Sequence, residues 1–226
     1  MNLFKMKGHW GNLTATIYDI VVAEGLSDLY DLIIQTFFKE LPGGSSVLDL
    51  GCGSGQIANK IARLNPGIEV LGMDLSESQI LRAKKRGNGI SNLRFCTGDA
   101  MKLDLNDSVF NSVISCASIK HWPNPKRGIE EMLRVCRPGG TIYIFEVDKE
   151  ADWNSAKGFV SRWNLLVPWE RPLITLYFKL FVSAQRLTDT GLLSLMKDVG
   201  IENPNVQRIV EHPVVIGIGK KPKSYK

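Results

Sequence analysis

The middle of the chain alternates short apolar runs with amphipathic segments of helical spacing. The apolar runs are VLDL (47–50), EVLGM (69–73), LRFCT (93–97), SVISCA (112–117) and TIYIFEV (141–147). The amphipathic segments are QIANKIARL, SESQILRAKKR and KRGIEEMLRVC, and a polar loop follows LRFCT. Strands that alternate with helices are typical of βαβ units. The pattern therefore predicts an α/β fold in which helices cover both faces of a parallel sheet.

Both ends of the chain depart from this alternation. Between 14 and 41, apolar residues recur at helical spacing, with a break at Gly25 and Ser27 as the predicted N-cap of a second helix that PGG (42–44) ends. Between 148 and 187 the chain is rich in aromatic residues. A helix, TDTGLLSLMKDVG, and two strands, NVQRIV and PVVIGIG, come last. Because few residues separate these two strands, we expect an antiparallel hairpin.

These segments predict a single domain covering residues 1–226. It consists of an N-terminal helical cap (1–44), a core of alternating strands and helices (45–147), an aromatic-rich insertion (148–187) and a C-terminal helix and hairpin (188–226). A chain of 226 residues is long enough to bury a substantial core in one such domain.

Composition and charge add few restrictions. Apolar residues make up 44% of the chain and charged residues 23%, which is ordinary for a soluble globular protein. The net charge is +5, and no block of like charges occurs before the C-terminal GKKPKSYK. A solvated basic surface is therefore favoured over a surface that binds nucleic acid.

The four cysteines, Cys52, Cys96, Cys116 and Cys136, lack metal-ligand spacing with each other or with histidine. Three of them lie in or beside apolar strand-like runs, where we expect buried free thiols, and this suits a reducing compartment. We expect no metal site. The N-terminal MNLFKMKGHW lacks the apolar core of a signal peptide, and no apolar run is long enough to span a bilayer. The sequence therefore predicts a cytoplasmic protein without a membrane span.

The segment VLDLGCGSGQ carries the first chemical signal. Its glycines, Gly51, Gly53 and Gly55, join the end of a predicted strand to a predicted helix. Glycine allows a tight turn and a close approach of a ligand to the backbone, and the helix N-terminus presents N–H groups to it. Dinucleotide-binding enzymes share this arrangement, but the third glycine of their G-x-G-x-x-G pattern would fall on Gln56 here.

Three acidic residues lie at or near the ends of successive predicted strands. Asp49 precedes the first glycine by two residues, where it can meet a positively charged ligand group. Asp74 ends the second strand, where a carboxylate can accept the two hydroxyls of a ribose. Asp99 follows the third strand, within reach of an adenine amino group. Any one acid fits a loop cap, but all three together predict a nucleoside-binding site.

These motifs resemble the class I S-adenosylmethionine-dependent methyltransferases, and within them the small-molecule group of ubiquinone/menaquinone-biosynthesis methyltransferases. The matching segments are VLDLGCGSG, VLGMDLSESQI, FCTGDAMKLDL, FNSVISCASIKHWPNP and MLRVCRPGGTIYIFE. The resemblance implies a Rossmann-like three-layer α/β sandwich with strand order 3-2-1-4-5-7-6, an antiparallel last strand and a helical lid at 148–187. It also implies S-adenosylmethionine as cofactor, bound at the topological switch point.

The resemblance further implies the residues that contact the cofactor. Asp49 lies near its ammonium group, Asp74 holds the ribose hydroxyls, and Asp99 reads the adenine edge. Gln79 departs from the methionine common at its position, which mostly packs. The implied contacts are Tyr18, Asp49, Gly51, Cys52, Gly53, Asp74, Leu75, Gln79, Asp99, Ala100, Met101, Cys116 and Ala117. Tyr18 matches a tyrosine that closes over the cofactor in relatives, although a core aromatic residue would give the same pattern.

The segment SIKHWPNP raises the question of a catalytic base. It resembles the family's loop after the fourth strand, which often carries paired histidines, but Lys120 replaces the first of the pair. His121 has a pKa range suited to proton transfer, so it is the candidate catalytic residue. The favoured interpretation is that His121 and Trp122 line the pocket wall. Glu146 and Asp148 are predicted near the acceptor side, with capping of the strand end as an equally good interpretation.

The insertion at 148–187 favours a small-molecule or lipid-like acceptor, because its aromatic residues can build an apolar pocket. RNA or protein methylation is an alternative suggested by the basic charge, but CASIKHW lacks the Asn/Asp-Pro-Pro-aromatic pattern of base methylation, and no stacking platform for nucleic acid is evident. A cofactor-binding regulator without turnover is a further alternative, and a nicotinamide dehydrogenase ranks last. The acceptor atom and the oligomeric state stay open.

Overall fold

The computed structural model describes residues 27–38, 41–148, 150–161, 188–209 and 212–224, together with residues 172, 175 and 176. Tyr18 and most of the predicted lid lie outside these residues. One sheet of seven strands forms the centre of the described fold. Its strands are β1 (Ser46–Leu50), β2 (Glu69–Asp74), β3 (Leu93–Thr97), β4 (Phe110–Cys116), β5 (Cys136–Val147), β6 (Glu202–Arg208) and β7 (Val214–Lys220).

The strand order is β3-β2-β1-β4-β5-β7-β6, which confirms the predicted order. β1 pairs in parallel with β2 on one side and with β4 on the other, so the chain reverses its winding direction at β1 and β4. β7 runs antiparallel to both β5 and β6, as the predicted hairpin requires. A parallel sheet of this kind binds ligands at the carboxyl ends of its strands, beside such a reversal.

Among the residues that the structure describes, six α-helices accompany the sheet: α1 (Ser27–Phe37), α2 (Gln56–Leu64), α3 (Glu77–Arg86), α4 (Pro125–Val135), α5 (Trp153–Ser161) and α6 (Asp189–Asp198). Local capping defines several of their starts. The Asn124 side chain accepts a hydrogen bond from the N–H of Arg127 at 3.1 Å, and Pro125 occupies the first turn of α4. The Thr188 hydroxyl accepts from the N–H of Gly191 at 3.0 Å at the start of α6.

The core divides into two apolar clusters, one on each face of the sheet. Neighbouring residues of β1 point to opposite faces, since Val47 belongs to one cluster and Leu48 to the other. Ile33 of α1 and Ile61 of α2 join the cluster of Val47, whereas Met132 of α4 joins that of Leu48. The fold is therefore the three-layer α/β sandwich that the alternating pattern predicts.

The junction between α4 and β5 differs from its prediction. The sequence pattern extends the helix to Cys136 and starts the strand at residue 141, but the helix ends at Val135 and Cys136 already pairs with Phe110. A bulge then shifts the register before Thr141 pairs with Ser112. Gly139 has a φ of 77°, so the Pro-Gly-Gly sequence continues the strand through a bulge that other residues would strain.

None of the described helices has the length and apolarity needed to cross a membrane. Of the predicted lid, the structure describes chiefly α5, which buries Ala156, Phe159 and Val160 and leaves the Trp153 side chain 47% exposed.

Candidate functional site

The three strand-end acids lie on adjacent strands at one edge of the sheet. Asp49 is the penultimate residue of β1, Asp74 the last residue of β2, and Asp99 follows the end of β3 by two positions. β1 and β2 pair in register up to Leu50 and Met73, and β2 and β3 up to Asp74 and Thr97. The parallel topology therefore brings together acids that are far apart in the sequence.

The glycine turn after β1 is tied to the end of β2. The N–H groups of Gly51 and Cys52 donate to the carbonyl of Met73 at 2.7 and 3.0 Å. Gly51 has a φ of 76°, and a Cβ added there would lie 1.8 Å from the hydroxyl oxygen of Ser118. Gly51 therefore allows the turn to touch the loop after β4. No pattern in the sequence indicated this role of Ser118.

Gly53 has a different environment. Its φ is 54°, and a Cβ added there would meet no atom within 4 Å. Its N–H donates to Oδ2 of Asp74 at 2.9 Å. Gly51 and Gly55 of this turn thus contact protein closely, whereas the Cβ direction of Gly53 is open, which is the arrangement a ligand beside the backbone requires.

Asp74 joins three segments of the site through its carboxylate and its backbone carbonyl. Oδ2 accepts from Gly53, and Oδ1 accepts from the N–H of Ser76 at 2.9 Å, just before α3. Its backbone carbonyl accepts from the N–H of Gly98 at 3.0 Å. Burial raises the pKa of Asp74, and the two backbone N–H donors oppose this shift. Both oxygens keep lone pairs with which to accept further hydrogen bonds.

Asp49 is the most buried of the three acids, with 2% of its surface exposed. Its Oδ2 accepts from the N–H of Ala58 in α2 at 3.2 Å. Burial raises the pKa of this carboxyl to about 7, and the nearby charge of Asp74 adds to the shift. A cation beside Asp49 would favour its ionised form. The thiol of Cys52 is also buried, and burial raises its pKa well above the usual value.

Asp99 is exposed and shapes the turn after β3. Its Oδ1 accepts from the N–H of Met101 at 2.8 Å, and its carbonyl accepts from Lys102 at 3.0 Å. Ala100, inside this turn, is buried. The Met101 side chain extends toward α4, because a Cβ added at Gly128 would lie 2.9 Å from its methyl carbon.

Gln79 and Leu75 flank this edge from the start of α3. Leu75 is 57% exposed directly after Asp74, whereas Gln79 is buried in the first turn of the helix. The Gln79 Oε1 atom is buried without a hydrogen-bond partner. Gln79 lies one helical turn before Ala83, whose methyl group faces Gly55 of the glycine turn. An orphaned acceptor therefore lies beside the site.

The end of β4 forms the other side of the crevice. After Cys116, Ala117 has a φ of 52°, and its N–H donates to the carbonyl of Phe145 at 2.7 Å. A single 3₁₀ turn, Ile119–His121, follows and ends on an exposed His121. Trp122 donates through Nε1 to the Ser118 hydroxyl at 3.0 Å. The predicted catalytic candidate thus lies at the carboxyl edge of the sheet.

Glu146, near the end of β5, lies beneath this turn. It is 2% exposed, and its Oε1 is 3.5 Å from the N–H of Lys120. Its charge contributes to the raised pKa of the Cys116 thiol, after burial and the charge of Asp49. The sheet register places both acids near the end of β4, since Asp49 pairs with Ile114 and Phe145, the neighbour of Glu146, pairs with Cys116. Asp148 forms a separate ion pair with Arg208 at 2.6 Å.

The donors and acceptors at this edge fit S-adenosylmethionine, the cofactor implied by the resemblance. The buried Asp49 suits an ammonium group, and Asp74 suits vicinal hydroxyls. The open Cβ direction at Gly53 and the orphaned Gln79 carbonyl leave room and hydrogen-bonding capacity for a ligand. In the described part of the chain, no group of three or more His, Cys, Asp or Glu residues has the arrangement of a metal site.

Comparisons with known proteins agree with this fit. A family model described as a methyltransferase domain matches residues 42–169, more than half of the chain. The 2-methyl-6-phytyl-1,4-hydroquinone methyltransferase of Synechocystis is 33% identical over 134 residues, covering 59% of this chain and 39% of that protein. The ubiquinone/menaquinone biosynthesis C-methyltransferase of Pseudomonas putida is 28% identical over 223 residues, covering 92% of this chain and 86% of that protein.

A solved structure shares the architecture. A putative S-adenosyl-L-methionine-dependent methyltransferase of Methanococcus maripaludis matches with a TM-score of 0.69 at 16% identity, covering 94% of this chain and 92% of that one. At this identity the likeness concerns the fold. The match to the Synechocystis protein spans less than half of that relative's length. The chain therefore belongs to the methyltransferase domain family, within the class I S-adenosylmethionine-dependent methyltransferases.

Proposed function

We propose that the protein is an S-adenosylmethionine-dependent methyltransferase that acts on a small-molecule or lipid-like acceptor. The observation that carries this proposal is the grouping of Asp49, Asp74 and Asp99 around one glycine turn, with Asp74 accepting the Gly53 N–H at 2.9 Å. An acidic set of this kind suits a ligand with an ammonium group and a ribose. Membership of the methyltransferase family supports the same conclusion.

When bound, S-adenosylmethionine supplies a methyl group on a positively charged sulfur, which an acceptor displaces in line. The protein's part is to bind, orient and exclude water. Asp49 pairs with the ammonium group and thereby stays ionised, since a cation lowers the pKa of a buried carboxyl. Asp74 accepts the ribose hydroxyls. Asp99, through the oxygen that does not bind Met101, accepts from the adenine amino group, and the amide of Ala100 contacts the same edge.

The loop after β4 faces the acceptor in this proposal. Cys116 and Ala117 provide backbone beside the cofactor, and His121 with Trp122 lines the acceptor pocket. A base is required only if the acceptor atom must lose a proton before transfer. His121 is therefore assigned to the pocket wall, and its action as a base is the alternative. Tyr18 is proposed to close over the cofactor from the N-terminal segment.

The acceptor is proposed to be apolar and ring-bearing. The names of two relatives refer to a phytyl hydroquinone and to ubiquinone and menaquinone biosynthesis. The exposed Trp153 on α5 adds apolar surface to the segment predicted as a lid. A cytoplasmic location belongs to the proposal as well, and four free thiols support it, because disulfides form in oxidising compartments.

The test is a transfer assay with purified protein, S-adenosylmethionine labelled in its methyl group, and a lysate of the source cells. Label is counted separately in the organic-soluble, small polar, RNA and protein fractions. Asp74→Asn is the inactivating variant, because an uncharged side chain is a weaker acceptor for the ribose hydroxyls. Asp198→Asn is the matched control, since it removes an exposed acid at the end of α6.

We expect label in the organic or small-molecule fraction with the wild type and Asp198→Asn, and its loss with Asp74→Asn. Label in RNA or protein would replace the proposed acceptor with a macromolecule. Transfer that survives in Asp74→Asn at limiting cofactor would remove the ribose-binding role of Asp74. A wild type that binds S-adenosylhomocysteine but transfers no label to any fraction or to added quinol acceptors would favour a regulator without turnover.

A further inference from the structure

Helix α4 carries a cluster of three charged side chains on one face. Arg127, Glu131 and Arg134 are spaced by four and three residues, so they lie on consecutive turns. Glu131 is 2% exposed, although it is a carboxylate on a helix whose other buried side chains include Ile129, Met132 and Leu133. We call these three residues the α4 charge cluster.

Both carboxylate oxygens of Glu131 accept two hydrogen bonds each. Its Oε1 accepts from Nη2 of Arg127 at 2.8 Å and from Nε of Arg134 at 3.0 Å. Its Oε2 accepts from Nη2 of Arg134 at 2.8 Å and from the backbone N–H of Leu103 at 2.8 Å. Burial alone would raise the pKa of Glu131, but the hydrogen bonds from Arg134 and Leu103 outweigh burial and lower it. The side chain is therefore a carboxylate at neutral pH.

The α4 charge cluster forms hydrogen bonds with the backbone of one neighbouring segment, residues 101–105. Arg127 donates through Nε to the carbonyl of Met101 at 3.2 Å. Arg134 donates to the carbonyls of Leu103 at 3.0 Å and Leu105 at 2.8 Å. With the Leu103 N–H on Glu131, alternate residues of the segment are held by side chains of α4.

Residues 101–105 follow directly after the turn of Asp99. That turn closes on itself, because Asp99 accepts from the N–H groups of Met101 and Lys102. Met101 is thus shared, since its N–H holds the Asp99 carboxylate and its carbonyl is held by Arg127. A shift of the 101–105 backbone would move the oxygen of Asp99 and the amide of Ala100 together.

Stability alone accounts poorly for this cluster. Burying a carboxylate costs several kcal/mol of desolvation, and well-packed apolar residues often replace a buried ion pair without loss. A bidentate ion pair between arginine and a carboxylate has a fixed geometry. Backbone groups that hydrogen-bond to such a pair are therefore held in a defined position. The Glu131–Arg134 pair has this geometry, with two parallel bonds of 3.0 and 2.8 Å.

We propose that Arg127, Glu131 and Arg134 are positioning residues that hold the Asp99–Met101 turn in register with the adenine of the cofactor. The cluster therefore determines how well the site distinguishes adenine from a base without its amino group. It does not touch the cofactor and acts through the backbone of residues 99–103. This inference rests on the proposed function, because it assumes that Asp99 and Ala100 read the adenine edge.

The test compares two ligands by calorimetry: S-adenosylhomocysteine and S-inosylhomocysteine, in which an oxo group replaces the adenine amino group. Glu131→Gln keeps the shape of the side chain and removes its charge. Arg127→Met keeps an apolar stem and removes the donor to Met101, at a side chain that is 48% exposed and therefore tolerant of replacement. The readout is the ratio of the two dissociation constants, which a change in global stability leaves unaltered.

Two control variants match these changes at other places. Asn92→Ala removes a buried side chain that donates to the carbonyls of Ala62, Asn65 and Ile68, at the amino end of β3 rather than its carboxyl end. Arg63→Met removes an arginine on α2 that donates to Asn59 at 2.8 Å. Both controls are expected to keep the wild-type ratio, even where Asn92→Ala lowers the melting temperature.

We expect each cluster variant to weaken S-adenosylhomocysteine binding and to reduce the preference over the inosyl ligand by about fivefold, the value of one hydrogen bond. A wild-type ratio in both cluster variants would overturn the inference while leaving the proposed function intact. If Glu131→Gln fails to fold, Arg127→Met decides the question by the same ratio. A wild type that binds neither ligand would overturn the proposed function, and the inference with it.

Discussion

The carboxylate of Asp74 accepts a hydrogen bond from the backbone N–H of Gly53 at 2.9 Å, across twenty-one positions of sequence. This contact links the last residue of β2 to the glycine turn that follows β1. It holds the turn so that the Cβ direction of Gly53 stays open. The two residues thus define one wall of the proposed cofactor site.

Gly53→Ala should impair cofactor binding more than it impairs folding. A Cβ at Gly53 would project into open space in the unliganded protein. The free energy of unfolding should therefore fall chiefly because alanine is strained at a φ of 54°, by on the order of 1 kcal/mol. In the complex the same Cβ would meet the ligand, and we expect at least about tenfold weaker S-adenosylhomocysteine binding, equal to 1.4 kcal/mol. Calorimetry and thermal unfolding measure the two effects.

Gly44→Ala is the control for this comparison. Gly44 has a φ of 76° and also has no atom within 4 Å of an added Cβ, but it lies at the amino end of β1. It should lose similar stability and keep wild-type affinity. Equal losses of affinity in the two variants would show that backbone strain, rather than occupation of the site, explains the Gly53 result.

Asp49 should make the stability of the unliganded protein depend on pH. The folded protein keeps the Asp49 proton up to about pH 7, whereas the unfolded chain loses it near its ordinary value of 3.8. The unfolded state therefore binds fewer protons between these values, so the free energy of unfolding falls as the pH rises from about 4 to about 7. Asp49→Asn removes this dependence. Its free energy of unfolding should therefore exceed that of the wild type by an amount that grows with pH, to on the order of 2–4 kcal/mol near pH 7.

The same residue should make cofactor binding depend on pH in the opposite sense. An ammonium group beside Asp49 favours the carboxylate, so wild-type affinity for S-adenosylhomocysteine should increase from pH 5 to pH 7 by up to about tenfold per pH unit. Asp49→Asn should bind weakly with a flat profile over this range. Parallel profiles for the two proteins would place the ammonium group away from Asp49.

Gln79→Met should stabilise the unliganded protein. The replacement removes a buried carbonyl oxygen without a hydrogen-bond partner, which costs about 1–3 kcal/mol of unfolding free energy. The gain should appear in denaturant unfolding, and the shift in melting temperature on adding S-adenosylhomocysteine should decrease if the carbonyl serves the ligand. Gln207→Met, at an exposed position of β6, is the control and should change neither quantity. An unchanged unfolding free energy for Gln79→Met would contradict this prediction.

His121→Gln should retain turnover at saturating acceptor while raising the acceptor KM. The exposed side chain at the end of the 3₁₀ turn is assigned to the pocket wall, and wall residues affect binding more than the chemical step. A general base contributes about 10²- to 10⁴-fold, so a fall of that size in kcat would make His121 the base. His212→Gln, in the loop between β6 and β7, is the control.

The local pattern of the sequence predicted most of the fold. QIANKIARL has the same bounds as α2, and LRFCT has the same bounds as β3. In both segments the buried apolar residues pack against a single neighbouring layer, so their spacing alone predicts the element. The pattern was wrong at Cys136, which was predicted in the helix and instead begins β5. The Pro-Gly-Gly that follows reads as a break in any local pattern. Cys136 belongs to the strand because it pairs with Phe110 of β4, which is a non-local contact.

The chemical groups at the strand ends could be predicted from the sequence alone, since each acid and glycine of the site lies within an apolar run or within a few residues of its end. How these groups are arranged around one site depends on contacts between elements that are distant in the sequence. The close approach of Gly51 to Ser118, the orphaned carbonyl of Gln79 and the hold of Glu131 on Leu103 all join residues from different elements. Such contacts depend on how helices dock on the sheet, and a periodicity within one segment carries no information about its partner in space.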